Sequence, residues 1–409
     1  MQPTGYIWIV LLGGSLVAGA AFVGVLVVRP RSELITAVTG IGSFALSAYS
    51  LVAVASIYSR ADAVLYGFAF MVAGVIGGWS LASSLLGRLA APLSELHSPD
   101  ALPPDSGKAA VILLACVEPP TYDPRVTAGM LNALADEELI EPSIGTLPFL
   151  FFAQKTRYRA VGGTSPAFGE LHSFSEALQS ELDGLPIATV EVATCSGEGR
   201  LAARILDAVK AGHRRVVVAE LTVADSLHIS AAKVEADALR LDHSGVTVAY
   251  TDALGSSEPI IEMLASRVVA TCEELPTSGV VLVGHGQPEE RAHRNPSYDE
   301  EETAFLNRLR MKLVDAGLPD SNVRIAWAEW RTPDVTSAVR HLAALGCRRV
   351  VVMPGVFTLD TIGTRLDLEL AVRQARVDDS VIVVTLPAWR DDEVVRHVIG
   401  ERVRALLYS

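Results

Sequence analysis

The sequence predicts an α/β protein: two similar doubly wound parallel-sheet domains, preceded by three transmembrane helices. Three observations predict this. Long uncharged apolar stretches crowd the first ninety residues. Short Val/Ile/Leu-rich runs then alternate with amphipathic stretches. Finally, one octet recurs: Ala211-Gly212-His213-Arg214-Arg215-Val216-Val217-Val218 is echoed by Leu345-Gly346-Cys347-Arg348-Arg349-Val350-Val351-Val352.

The apolar stretches are Tyr6–Val28, Leu34–Tyr58 and Val64–Leu86. Each exceeds the roughly 20 residues that carry a helix across a ~30 Å hydrocarbon core. They explain a hydrophobic content of 50% and a mean hydropathy of +0.34. A cleavable signal does not fit, because no basic n-region precedes the first stretch and two more follow. Arg29, Arg31 and Arg88 lie on one side of the spans and Arg60 on the other. The positive-inside rule therefore puts the N-terminus outside and everything after Arg88 in the cytoplasm, as a multi-pass protein of the cell (plasma or inner) membrane. Gly13-Gly14 and Gly77-Gly78 invite close helix packing. No span holds an Asp, Glu, Lys, Arg or His, so the bundle reads as an anchor or docking element toward lipid, a membrane protein or a second copy, not a transport path.

Residues 90–108, with Pro92, Pro99, Pro103 and Pro104, read as a linker. Strand-like runs follow at Ala109–Ala115, Ala188–Ala193, Arg215–Leu221, Val246–Tyr250, Gly279–Val283, Val323–Ala328, Arg348–Pro354 and Ser380–Leu386. Helical patterns include Phe168–Leu182, Leu201–Ala211, Ile229–Leu241, Tyr298–Ala316 and Val335–Leu345. Apolar strands with intervening helices mean parallel sheets covered on both faces. Four runs in matching order on either side of residue 275 divide this region into domains at 109–275 and 276–409, and two such domains form a cleft between their strand ends.

A net charge of −13 with acidity spread along the soluble part excludes a nucleic-acid partner, whose binding needs a basic face. Cys116, Cys195, Cys272 and Cys347 stand singly, without zinc or iron–sulfur spacing, which fits reduced thiols in a cytoplasm.

The candidate chemistry starts at Gly284-His285-Gly286-Gln287-Pro288, directly after the run Gly279–Val283. This sets one histidine at the carboxyl end of a buried parallel strand, where ligands bind in open α/β sheets. Histidine moves protons near neutral pH. The bland alternative is a histidine that only caps a strand. His213, His228, His243 and His293 are scattered, and His228 alone falls in a loop that could line the cleft. Asp299 with Glu300-Glu301-Glu302 opens a helix, where acidic residues favour the positive end of the dipole, and reads as a solvated face.

Four stretches resemble the ferrochelatase family, and more broadly the type II chelatases that insert a divalent metal into a tetrapyrrole. They are Leu114-Ala115-Cys116-Val117-Glu118-Pro119, Tyr158-Arg159-Ala160-Val161-Gly162-Gly163-Thr164-Ser165-Pro166, Val283-Gly284-His285-Gly286-Gln287-Pro288 and Val352-Met353-Pro354-Gly355-Val356-Phe357-Thr358-Leu359-Asp360. The resemblance runs in order from Lys108 to Leu407 and covers none of the membrane region. It implies a broad apolar cleft for a flat ring, with His285 as the base over the ring and a transient metal ligand. It also implies cleft roles for Cys116, Gly162, Gly163, Ser165, Pro166 and Trp327, and a metal-site role for Asp360. Several of these stay open between two readings. Cys116 is a thiolate ligand or a small core residue. The glycines approach a flat ligand or make a plain turn. Trp327 faces the ring or the core. Asp360 touches metal or holds its turn.

The departures are as informative. In the family, the second-half turn ends in a histidine and, two residues later, a glutamate facing the catalytic histidine. Those positions hold Thr361 and Gly363. On a helix over Thr361–Ala375, the nearby Asp367 and Glu369 point about 200° apart and cannot act as a pair. The resemblance thus implies Fe(II) and a porphyrin as substrates in haem biosynthesis, with no tightly bound cofactor. Two alternatives remain: a retired chelatase that carries or senses a tetrapyrrole, and a cobalt or iron chelatase for sirohydrochlorin.

Overall fold

The computed structural model describes residues 3–58, 61–90, 95–99, 101–195, 197, 199–390 and 392–408. Arg60 and Pro92 lie outside the described residues. The chain forms two compact units, one of residues 1–92 with 121–164, the other of 93–120 with 165–409.

In the first unit, helices α1 (Pro3–Val27), α2 (Pro30–Tyr58) and α3 (Ala61–Leu86) are long and apolar enough to cross a membrane. Their glycine pairs divide. A side chain at Gly14 or Gly78 would collide with a neighbouring helix, whereas Gly13 and Gly77 face open space. Close approach therefore depends on one glycine of each pair. Two helices join this unit, α4 (Pro124–Asp136) and α5 (Leu147–Ala160). Asp123 caps α4 by accepting from Arg125 N, with Pro124 at the first helical position. Ala128, Leu131 and Phe151 of this pair bury against Val23, Leu26, Val27 and Leu86. Lys155 is fully buried. It donates to Val25 O and lies 3.6 Å from Glu33, which Arg159 also reaches. A buried ammonium needs such partners.

The second unit continues the chain as strand β1 (Ala109–Ala115), helix α6 (Pro166–Glu181), β2 (Ile187–Thr194), α7 (Leu201–Lys210), β3 (Arg215–Glu220), α8 (Leu227–Asp237), β4 (Thr247–Tyr250) and α9 (Glu258–Thr271). It then repeats the theme with β5 (Ser278–Gly284), α10 (Glu289–Ala292), α11 (Pro296–Asp315), β6 (Val323–Trp327), α12 (Val335–Ala344), β7 (Arg349–Pro354), α13 (Leu368–Ala375), β8 (Ile382–Thr385) and α14 (Glu393–Tyr408). All eight strand-like runs are strands. They pair in parallel in two sheets of the same order, β2-β1-β3-β4 and β6-β5-β7-β8.

Alternation within the strands decides the layers. Val111 and Leu113 of β1, with Val280 and Leu282 of β5, enter one core that also buries faces of α6, α9, α11 and α14. The residues between them point the other way. Ile112 and Leu114 meet α7 and α8, while Val281 and Val283 meet α12 and α13. Each strand is thus apolar on both faces because helices cover both. The last helix returns to the first sheet: Leu407 O accepts from Arg215, and Arg404 donates to Glu181 O. The described part of the linker is not free chain. Leu96 and Leu102 pack on the outer face of the first sheet, and Ser98 donates to Leu239 O.

Beyond β3, Glu220 is fully buried, with Lys233 of α8 2.6 Å from its carboxylate and 2.7 Å from Asp225. Burial, then Asp225, push the Glu220 carboxyl up to about 8. A carboxyl raised on folding binds more protons folded than unfolded between its ordinary range and that value. Stability is then full below the ordinary range and falls as pH rises toward 8. Thermal melts of the full chain are expected to show Tm dropping from pH 5 to pH 8, with a flatter profile in Glu220→Gln. An equal slope in the variant assigns the pH response elsewhere.

Candidate active site

In each sheet the strand order reverses direction between the two central strands, β1/β3 and β5/β7, and the crevice beyond their carboxyl ends is the expected ligand position. His285 leaves the end of β5 there, and the turn 355–362 leaves β7 beside it.

The loop around His285 is tightly specified. Gly286 adopts φ +80°, and a side chain there would strike Glu329 O. His285 N and Gly286 N donate to the two carboxylate oxygens of Glu302, at 2.9 and 3.1 Å. Tyr298 OH adds a 3.4 Å bond to the same group. Glu302 is 1% exposed, which corrects the reading of 299–302 as a wholly solvated face. Residues 300 and 301 are exposed, but position 302 turns inward one helical step later. Burial holds the Glu302 carboxyl above its ordinary range, against the opposing pull of His285 when that ring is protonated and of the two amides.

The His285 ring is exposed, with Phe357 at 5.8 Å between ring centres. Its Nδ1 lies 2.7 Å from Gly286 O. A carbonyl only accepts, so Nδ1 carries the proton and Nε2 is the basic nitrogen. The ring is therefore held in one tautomer, with Nε2 as its basic nitrogen.

The turn opposite is built from buried contacts. Trp389 Nε1 donates to Gly355 O at 3.0 Å, and Arg390 N to Thr358 O at 2.8 Å. Asp360, expected among the metal ligands, is 1% exposed. Its Oδ2 takes Arg390 at 2.6 and 2.8 Å and Arg365 at 2.9 Å, and its Oδ1 takes Ala388 N at 2.9 Å. A carboxylate saturated by two guanidiniums has no lone pair turned to a metal, so Asp360 holds the turn. Thr361 and Thr364 bond each other's amides. The helix expected over 361–375 opens as a π-turn, Gly363–Asp367, before α13. Glu369 pairs along α13 with Arg373 at 3.5 Å.

Other expected residues divide. Trp327 is 5% exposed, packed on Gly284 in the shared core with the Arg331 guanidinium 3.8 Å from its ring centre. The side chain is buried in the core with Arg331 over one ring face, which corrects the ring-facing reading. Cys116 and Cys195 are not single thiols. They form a disulfide with Cα atoms 5.2 Å apart, because β1 and β2 are neighbours and bring together residues 79 apart in sequence. In that state Cys116 has no thiolate for a ligand. Ser165 is buried and donates to Glu118 at 2.8 Å, and Pro166 opens α6. Gly162 and Gly163 belong to the first unit. Both have positive φ and end α5, where Gly163 N returns to Tyr158 O at 2.7 Å. His228 sits in the first turn of α8 near Arg291, at 3.3 Å, and His213 bonds Ser106 and Lys108 O.

Sequence reading missed Glu302, Glu170 and Glu118. Glu170 of α6 accepts from Asp360 N at 2.8 Å. Glu118 accepts from Ile362 N at 2.7 Å, joining the exit of β1 to the turn after β7. No local signal marks either carboxylate, since both partners are far away in sequence. Among the described residues, no three His, Cys, Asp or Glu side chains gather as a metal-holding group. A cavity of about 730 Å³ lies beyond β3 and β4, lined by Asp225, Lys233, Asp252, Glu301 and Arg308. It does not include His285, and charged walls suit a flat apolar ring poorly, so the exposed imidazole remains the better candidate.

Two repeated doubly wound sheets, with one exposed histidine where the second reverses strand order, define a chelatase-like α/β protein. The ferrochelatase family model matches residues 108–406, and the chain belongs to the ferrochelatase family. Its chemistry is metal insertion into a tetrapyrrole. Among solved structures, the chain is similar to SirB from Bacillus subtilis with Fe3+, at 14% identity and a TM-score of 0.47, covering 73% of this chain and 94% of that one. It is also similar to the sirohydrochlorin chelatase SirB from Bacillus subtilis subspecies spizizenii in complex with cobalt, at 14% identity, TM-score 0.45 and the same coverage. No curated protein matches.

Proposed function

We propose that this chain inserts Fe(II) into a porphyrin at the cytoplasmic face of the membrane, with His285 as the proton acceptor. The observation that carries this is the exposed imidazole with Nδ1 tied to Gly286 O, which leaves Nε2 as the basic nitrogen. A porphyrin loses two pyrrole protons as the metal enters. Nε2 takes the first, passes it to water because the ring is exposed, and takes the second. Phe357 supplies an apolar wall for the macrocycle. Three helices long and apolar enough to cross a membrane suit a substrate that dissolves in lipid. Fe(II) is a substrate here, and no resident cofactor is required.

A second reading is a retired chelatase that carries or senses a tetrapyrrole. It is favoured by Thr361 and Gly363, which offer no carboxylate or imidazole opposite His285, and by the full engagement of Asp360. The test is anaerobic titration of the full-length protein with porphyrin, followed by Fe(II) or Zn(II), read by absorbance. Metal–porphyrin formation over many turnovers supports the enzyme. A bound-porphyrin spectrum with no turnover supports the carrier. Turnover only with sirohydrochlorin moves the substrate to the polycarboxylate ring.

A further inference from the structure

Cys116 holds, in the first sheet, the place that His285 holds in the second. Each is the residue after the strand, β1 or β5, that lies second in its sheet. Where the second sheet carries a base, the first carries a disulfide. Cys116 is exposed and Cys195 half-buried, so this bond is open to attack from solvent. Two residues beyond Cys116, Glu118 Oε1 accepts from Ile362 N at 2.7 Å and from Ser165 Oγ at 2.8 Å. Ile362 ends the turn that places Phe357 beside His285. A covalent pin at Cys116 and hydrogen bonds at Glu118 thus bracket one short stretch. That stretch braces the turn next to the site.

We propose that Cys116–Cys195 is a reversible thiol–disulfide site whose state sets how firmly the 355–362 turn is held beside His285. On the cytoplasmic reading above, a disulfide is of the transient, redox-responsive kind. Exposed bonds are the labile ones. The co-reactant is a dithiol reductant. Its thiolate attacks Cys116 Sγ and breaks the S–S bond, and Cys195 leaves as a thiolate that takes a proton. The donor's second thiol then attacks the mixed disulfide and releases Cys116. Two electrons enter the protein, and the donor becomes a disulfide. With the pin released, the backbone from 116 to 118 gains freedom, and the Glu118 bonds to Ile362 and Ser165 open more often.

The structural half of this proposal is independent of the catalytic reading; only its effect on rate rests on it. Full-length protein in lipid nanodiscs is equilibrated in glutathione buffers from oxidising to reducing, then unfolded in denaturant, alkylated and weighed, because Cys347 is buried in the folded chain. Cys272 and Cys347 are free, so two modified thiols mark the closed bond and four the open one. Amide exchange of the peptide covering 355–364 is followed in parallel. The expected result is a shift from two thiols to four and roughly tenfold faster exchange at Ile362. Metal insertion is expected to fall several-fold on the same midpoint. Cys195→Ser should exchange like the reduced protein in every buffer; if it does not fold, the wild-type buffers alone decide. Four modified thiols under the most oxidising buffer overturn the proposal, as does unchanged exchange once all four thiols are free. Insertion absent in both states, with exchange still responding, overturns the catalytic reading and leaves the redox site standing.

Discussion

His285→Ala is expected to lower metal insertion by about 10²- to 10⁴-fold, the usual contribution of a positioned general base. The bonds from Tyr298 and from the His285 and Gly286 amides to Glu302 do not involve the imidazole, so the fold should survive the change. Porphyrin binding should persist, because Phe357 and the turn remain. Initial rates and porphyrin titrations on the same preparation separate the two effects. A variant that binds porphyrin and keeps more than a tenth of the rate would mean that another group takes the protons. The lost imidazole also carries a proton on Nδ1 that Gly286 O accepts, so His285→Gln is a useful second variant. It can restore that hydrogen bond without restoring a base, and its rate should stay low.

Asp360→Ala should have the largest effect on stability. The change strips the partner from Arg390 and Arg365 and leaves Ala388 N–H buried without an acceptor. Breaking a buried ion pair from one side costs about 3–5 kcal/mol. Both arginine side chains are more than a third exposed and can regain water, so about 3 kcal/mol is expected. Over a unit of this size that lowers Tm by about 5–10 °C. Asp360→Asn keeps an acceptor for Ala388 and should lose less. Thermal melts and zinc affinity of the folded variants are the measurements. A tenfold loss of metal affinity in folded Asp360→Asn would return this carboxylate to the ligand set.

Most of the architecture was legible because parallel strands covered on both faces are written as continuous apolar runs. Val216-Val217-Val218 and Val350-Val351-Val352 announced corresponding strands in the two sheets, and Gly284-His285-Gly286 marked the end of another. The helical pair α4 and α5 was not anticipated. Their sequences, such as Leu147-Pro148-Phe149-Leu150-Phe151-Phe152, lack a clean polar face, since Phe151 buries against the apolar helices while Phe149 stays exposed.

The site was less legible than the fold. His285 is local information, a residue type between two glycines after a strand. The groups that hold it and its turn are not. Glu302 looked like one more acid in a run of four, and only its helical phase turns it under the His285 amides. Asp360 looked available until the fold brought Arg390, thirty residues on, against it. Cys116 and Cys195 carried no recognisable spacing because strand adjacency, not sequence distance, pairs them. Each miss involves a partner chosen by topology.

The apolar layer shared by both sheets has a mechanical consequence. Domains that close on ligands by hinging meet across a modest, partly polar seam. Here Leu113, Leu282, Phe305 and Val403 belong to one continuous interior, and the final helix is stitched to the opposite half. The halves cannot swing apart without exposing that interior to water. For a ligand bound as proposed at the imidazole, entry and exit would then fall to the segments that leave β1, β5 and β7 and not to a jaw-like opening.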